Sequence, residues 1–483
     1  MSKYILFFIL FSLNLFAGDE VKLGPNFFKE LDLESLPSVK KYSLDELGSK
    51  ISLFSNYERF TARLNALYSY GEDKSRQLSK FVPVTSPTSM TKIGISKASR
   101  LGYQLNAGVV ADQFSNNFLT KGTTVGMELS FTMDLFKDLL GRNTNQHLLN
   151  LEDTIRLKAL EKEVFVENMR INLLKIYWSL VANNESINIT QKLIQQAEKQ
   201  VNVTSRKLKN AVSDIGTLAR VKSILSSRKG SLNSLHYQRS NLHRSLRELL
   251  PDLKGKPLSL ESYDINKTVK KLFTCTKSLE ELSSASMEHT HLDEISKIQH
   301  GISTREKKLA DSHDQIDLKL VVNSKLIGKD FSYSNAYDDF LNNPKPVNQI
   351  SIQFNAPIGS TPKNTEKLLK LLAKRKGEIA NDEINSKIDA FHLEILNSVK
   401  ILKEAMRNQK ENTMALKESL LSGRQKFAQA RISIEQLVNQ EDAYFASELN
   451  SIQTNLSILH TLLDYFSVFP QTNCTLNLQT KKI

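Results

Sequence analysis

Lys207-Leu208-Lys209-Asn210-Ala211-Val212-Ser213-Asp214-Ile215-Gly216-Thr217-Leu218 has a counterpart in Lys426-Phe427-Ala428-Gln429-Ala430-Arg431-Ile432-Ser433-Ile434-Glu435-Gln436-Leu437. Each stretch lies between two long runs with heptad-spaced apolar residues, and each places a small residue, Ala211 or Ala430, where the first run stops. Ser213 or Asp214 in one copy and Ser433 in the other can cap the run that follows, since a short polar side chain accepts from the free N–H groups of a new helix. Each stretch therefore predicts the tip of an antiparallel helical hairpin. The copies lie 219 residues apart (426 − 207), and the same offset carries Pro251, at the end of the first return run, onto Pro470 at the end of the second. That agreement argues for duplication.

The flanking runs support the reading. Leu173, Leu180, Ile187, Ile194, Val201 and Leu208 recur at a strict spacing of seven, with Met169, Ile176 and Ala197 at intervening positions, which is a coiled-coil seam. As one helix, Arg142 to Ala211 would reach about 105 Å. The return run carries Leu218, Val221, Leu225, Leu232, Leu235, Leu242, Leu246 and Leu249. In the second half, Ile388, Ile395, Leu402, Met406, Thr413, Leu420 and Phe427 lead out, and Leu449, Ile452, Leu456, Leu459, Leu463 and Phe466 lead back. Helices of this length cannot bury an apolar face within a small globule.

Met1-Ser2-Lys3, an apolar run from Tyr4 to Phe16 and then Ala17-Gly18 predict a signal peptide over 1–17, although Leu15 is larger than the residue usual at its position. The alternative, an N-terminal membrane anchor, needs about 20 apolar residues. Among 483 residues, the 18 Gly, 11 Pro and one Trp suit long helices better than a compact enzyme. The net charge of +13 comes from Lys and Arg interleaved with Glu and Asp along helical faces, which describes a solvated surface and no nucleic-acid partner. Cys275 and Cys474 are the only cysteines, which suits an oxidising compartment.

Between the runs the period changes. Ser43 caps a helical pattern extending to Ser75. From Ile93 to Val109, Ile93, Ile95, Leu101, Tyr103, Leu105, Ala107 and Val109 alternate with Gly94, Ser96, Arg100, Gln104 and Asn106, with Lys97 and Ser99 interrupting the apolar face. After a polar loop, Val125, Met127, Leu129, Phe131 and Met133 alternate with Gly126, Glu128, Ser130 and Thr132. This predicts a strand hairpin over about 93–133. The second half repeats it over about 316–357, with Ile316, Leu318, Leu320 and Val322, then Ile350, Ile352, Phe354 and Ala356. A half-buried soluble sheet fits this period. So does a lipid-facing sheet, whose backbone must find all its partners in a closed barrel; four strands are too few to close one alone.

The order of elements resembles the TolC family of outer-membrane efflux proteins: signal peptide, short helix, strand hairpin, long helical hairpin, connector, then a second round. The resemblance rests also on Ser43-Leu44-Asp45-Glu46-Leu47, on Phe131-Thr132-Met133-Asp134-Leu135-Phe136, on Ile176-Tyr177-Trp178-Ser179-Leu180 and on the two tips. It implies a mainly α chain with a β-barrel portion, in which duplicated helical hairpins build a periplasmic α-barrel and two β-hairpins join a trimeric 12-stranded outer-membrane barrel. The boundaries expected are a first repeat over 18–250 with its helical hairpin at about 142–250, an equatorial connector over 251–277, and a second repeat over 278–469. Within the second repeat, a helix at about 278–312 and a helical hairpin at about 363–469 flank the strands, and a tail occupies 470–483. The partners implied are two further copies in a homotrimer, outer-membrane lipid, a periplasmic adaptor (membrane fusion) protein and an inner-membrane pump. The role implied is a passive exit duct for efflux or type I secretion, with Ala211 to Leu218 and Ala430 to Leu437 at the tunnel mouth.

This sequence departs from the family at the tips. Gly is common where Ala211 and Ala430 stand, and some members narrow the mouth with Asp rings at positions matching Gln436 and Asn439. The resemblance also places Cys275 and Cys474 in a belt around the middle of the tunnel, where they could meet in one disulfide or remain two separate buried thiols. No catalytic constellation, cofactor motif or metal-ligand set is recognisable. His289-Thr290-His291 with Asp293 and Glu294, and Asp311-Ser312-His313-Asp314, read as solvated polar faces, and Trp178 as core. The rival reading is a secreted or periplasmic coiled-coil scaffold or adhesin without a channel.

Overall fold

The computed structural model describes residues 20–75, 85–115, 121–261, 263–272, 290–312, 316–356 and 358–468. The chain starts with β1 (Val21–Leu23), α1 (Pro25–Glu30) and α2 (Pro37–Glu58). Four strands follow, β2 (Arg63–Gly71), β3 (Thr88–Ala98), β4 (Tyr103–Phe114) and β5 (Gly122–Asp134). The first helical hairpin is α3 (Arg142–Lys209) with α4 (Ile215–Leu249), after which comes β6 (Leu258–Leu260). The second half contains α5 (His291–Asp311), β7 (Asp317–Asp330), α6 (Tyr333–Asn342) and β8 (Lys345–Asn355). It ends in a second hairpin of α7 (Ser360–Ala428) and α8 (Ile434–Val468). No described helix is long and apolar enough to cross a membrane.

Two compact units result. One comprises 1–41, 161–294 and 384–483, and the other 42–160 and 295–383. In the first unit the heptad positions do what their spacing predicts. Met169, Leu173, Leu180, Ile187 and Ile194 of α3 are buried, as are Ile452, Leu456, Leu459, Leu463 and Phe466 of α8. Tyr177 and Trp178 are fully buried, stack edge-to-face at 5.2 Å, and meet Phe28 and Tyr263. Each such side chain contributes about 2–3 kcal/mol of burial, so this cluster anchors the unit. The parallel pairing of β1 with β6 fastens the N-terminal segment beside it.

The second unit is organised by a six-stranded antiparallel sheet in the order β2-β3-β4-β5-β7-β8. Here the structure corrects the expectation of four strands in two points. The helical pattern does not run to Ser75: α2 spans Pro37–Glu58, with Ser43 inside it, and Arg63–Gly71 is a strand. The single strand expected over Ile93–Val109 is two, β3 and β4, reversed at Ser99–Gly102. There Ser99 N–H donates to the Tyr103 carbonyl at 2.8 Å, and Gly102 adopts φ 75°, a conformation that costs glycine little. The region expected to hold one hairpin therefore holds a three-stranded meander.

Apolar and polar side chains largely alternate across this sheet, with Leu67 and Val110 on the polar face and Lys97 on the apolar one. One face carries Leu64, Ile93, Ile95, Val109, Met127, Leu129, Leu326, Ile350 and Ile352, all exposed. The opposite face carries Asn65, Lys92, Ser96, Asn106, Glu128, Ser130, Asn323, Lys325 and Gln349. At its centre Glu128 pairs with Lys92, and with Lys325 at 3.1 Å. Gly94 and Gly108 stand opposite each other there, so close that a Cβ on Gly94 would sit 2.8 Å from the Ala107 carbonyl oxygen.

Candidate functional site

The two tips close by the same device. At the end of α3, Ala211 has φ 57°; its N–H donates to the Leu208 carbonyl at 3.0 Å, and Val212 N–H donates to that of Lys207 at 2.8 Å. At the end of α7, Ala430 has φ 59°, with Ala430 N–H on Phe427 at 3.0 Å and Arg431 N–H on Lys426 at 2.8 Å. This pair of bonds is the Schellman arrangement, which needs one residue in the left-handed region. The turn that favours glycine is thus built on alanine in both repeats, at a cost of about 1–2 kcal/mol each.

The start of each return helix uses a different cap at the same offset. Asp214 accepts from Thr217 N–H and from the Thr217 hydroxyl, each at 2.7 Å, and these bonds hold its carboxyl below its ordinary range. Ser433 and Gln436 form a reciprocal capping box: Gln436 N–H donates to Ser433 Oγ at 3.2 Å, and Ser433 N–H donates to Gln436 Oε1 at 3.1 Å. Of the two cap candidates in the first tip, Asp214 takes the role. Gln436 is engaged in its own helix start, and Asn439 is exposed on the next turn.

Polar contacts tie the hairpins to each other near the tips. Arg220 of α4 meets Glu435 of α8 at 2.6 Å, and Lys207 Nζ lies 4.9 Å from the centre of the Phe427 ring. Further along, the guanidinium of Arg228 is buried; it donates to the Leu193 carbonyl at 3.0 Å and to Asp442 at 2.6 Å. Buried Glu441 accepts from Gln200 at 2.7 Å and from Arg424 at 3.3 Å. The exposed apolar residues of the first tip are Val212, at 71% exposure, and Ile215, at 76%. In the second tip Ile432 and Ile434 are half-buried and Leu437 is buried. Ser213 is half-buried, Gly216 and Arg431 are exposed, and Thr217 and Leu218 are half-buried.

Helix α7 adds a feature that the sequence reading did not single out. Besides its seam through Ile395 and Leu420, Leu372, Ile379, Leu393, Met414 and Leu421 are exposed and fall at multiples of seven. Among the described residues these positions form a second apolar seam along the helix, exposed to solvent. Cys275, Cys474, His289, His313, Asp314 and the 1–17 segment lie outside the described residues.

No family model matches the sequence, and no curated protein matches it. Solved structures do. The outer membrane protein VceC of Vibrio cholerae superimposes with a TM-score of 0.63 at 10% identity, over 92% of this chain and 95% of that one. The CmeC outer membrane channel of Campylobacter jejuni gives 0.61 at 13% identity, over 94% and 88%. The open-state MtrE outer membrane channel of Neisseria gonorrhoeae gives 0.60 at 13%, over 92% and 88%. Identity this low carries architecture alone, and the architecture agrees along nearly the whole length. This chain has the TolC-family fold of the outer-membrane efflux channels.

Proposed function

We propose that the protein is the outer-membrane exit duct of a tripartite efflux or type I secretion system, working as a homotrimer that conducts cargo passively. The observation that carries this reading is one chain holding both a sheet with an exposed apolar face opposite an ion-paired polar face, and two capped helical hairpins. An exposed apolar face on every strand suits lipid, and the polar face suits a water-filled lumen. The uncovered heptad positions of α7 suit helices of neighbouring copies closing a tunnel. A soluble scaffold or adhesin would leave the apolar face of the sheet in water.

The hairpin tips are the tunnel mouth in this reading, and exposed Val212 and Ile215 give a periplasmic adaptor protein, itself coupled to an inner-membrane pump, an apolar surface to grip. The acids of the two tips are engaged, Asp214 by its cap and Glu435 by Arg220, while Gln436 and Asn439 are neutral. In this reading the mouth carries no acidic side chain at Gln436 or Asn439, so an acidic ring at those two positions is not expected. Val212→Asp with Ile215→Asp tests the assignment: export should fall while a heat-sensitive trimer is still recovered from outer-membrane extracts. Normal export by that variant would remove the tips from adaptor contact, and recovery of the native chain from the soluble periplasm would remove the duct itself.

A further inference from the structure

Among the described residues the sheet has two open edges, β2 and β8, and their chemistry identifies what pairs with them. On β2, Leu64, Ala66, Tyr68 and Tyr70 continue the apolar face, in register with Ile95, Ile93, Thr91 and Ser89 of β3. On β8, Ile350, Ile352 and Phe354 end the same face at the other side, in register with Val322, Leu320 and Leu318 of β7. Leu64 and Tyr68 are 74% and 69% exposed, and Ile350 and Ile352 are 73% and 67% exposed, so both margins present apolar side chains beside unpaired backbone groups. Unpaired backbone N–H and C=O groups are not tolerated in hydrocarbon, where each costs several kcal/mol.

The β2–β3 hairpin is part of this wall rather than an appendage on it. β3 pairs with β4 over eleven registered positions, Thr88↔Phe114 to Ala98↔Gln104. On the polar face Lys92 of β3 reaches past β4 to Glu128 of β5, which Lys325 of β7 also engages. The facing glycines Gly94 and Gly108 let the backbones of β3 and β4 approach closely beneath that span. The added strands thus carry the same apolar and polar faces as the rest of the sheet, in phase with it.

Direction selects the partner. All five pairings in the sheet are antiparallel, so with six strands β8 runs opposite to β2. A second copy can therefore place its β2 along β8 and extend the alternation without a parallel joint. We infer that β2 of one copy pairs with β8 of the next, so that each chain contributes six strands to the barrel and the trimer closes an eighteen-stranded wall. The inference rests on the trimeric channel reading above and replaces the twelve strands expected from four per chain. Barrel diameter grows roughly linearly with strand number, so this wall is about half as wide again, in the range where porin barrels keep an aqueous lumen.

Cysteine cross-linking in intact outer membranes tests it. With Cys275 and Cys474 replaced by serine, cysteines at Leu64, Ala66 or Tyr68 of β2 are combined with cysteines at Ile350, Ile352 or Phe354 of β8. Control chains combine Leu105, Ala107 or Val109 of β4 with the same β8 positions. The inference expects oxidation to give covalent dimers and trimers from at least one β2–β8 pair and none from β4–β8 pairs. Cross-links from β4–β8 alone would overturn it, because the wall would then close without the β2–β3 hairpin, while the trimeric channel reading stands. A β2–β8 bond formed only within one chain would overturn it too. Failure of every pair in a chain that extracts as a monomer would overturn both readings together.

Discussion

Replacing Ala211 and Ala430 by glycine should tighten the tips, which is the reverse of what glycine does to a helix elsewhere. Both alanines sit at φ near +60°, 57° and 59°. There Cβ crowds the following carbonyl at a cost of about 1–2 kcal/mol that glycine does not bear. Against this, glycine adds freedom to the unfolded chain, worth about 0.5–1 kcal/mol. The net gain expected is about 0.5–1 kcal/mol per turn. It should appear locally, in the opening equilibrium of the amides that close each turn, Val212 N–H on Lys207 and Arg431 N–H on Lys426. Since about 1.4 kcal/mol is tenfold, hydrogen exchange at these amides should slow about two- to fivefold. Ala211→Val should speed it, because a branched side chain is a poorer fit to the left-handed region. Ala219→Gly, in the first turns of α4, is the control: it should loosen its helix by about 1 kcal/mol. Equal or faster exchange at Val212 in the Ala211→Gly protein would refute the left-handed turn and the Schellman closure with it.

Three other outcomes follow from specific contacts. Arg228→Ala removes a buried guanidinium that bonds α3 and α8 at once, and should cost about 2–3 kcal/mol, measured as a lower urea midpoint; Asp442→Ala, which leaves that buried guanidinium without its carboxylate, should cost about 1–3 kcal/mol. Burial, with Asp264 adding to it, pushes Glu185 from 4.5 up to about 7, so the folded state holds a proton that the unfolded chain releases. Stability should therefore fall as pH rises from about 4.5 to 7, by about 1–2 kcal/mol after allowing for partial solvent screening, and Glu185→Gln should flatten that slope in thermal melts. A Cβ at Gly328 would lie 2.2 Å from Phe340 N and 2.3 Å from the Ala336 carbonyl oxygen, so Gly328→Ala should push α6 off the sheet at a cost of about 1–3 kcal/mol and raise protease cleavage within Tyr333–Asn342.

Local chemistry was legible in the sequence where each signal sits beside its effect. Caps at Asp214 and Ser433 lie within one turn of the helices they start, and heptads at Leu173 to Ile194 are buried as their spacing requires. The left-handed turns at Ala211 and Ala430 were hidden, because alanine does not advertise the conformation that glycine would. The missed reversal at Ser99–Gly102 has a parity cause: Ile95 and Tyr103 are an even number of residues apart, so the alternation continues in phase through the turn. β2 was obscured by Leu67, which interrupts the polar face of Arg63–Gly71 just after a helix. Contacts such as Arg228 with Asp442 and Lys92 with Glu128 join residues far apart in the chain, and no local pattern announces them.

Single-channel recording tests the duct most directly. Protein extracted from the outer-membrane fraction and reconstituted in a planar bilayer should give long-lived, discrete conductance steps, and their size should change when Arg220→Ala breaks the pairing with Glu435 beside the hairpin tips. A folded protein from that fraction that leaves the bilayer electrically silent, with or without the Arg220 change, would contradict the account.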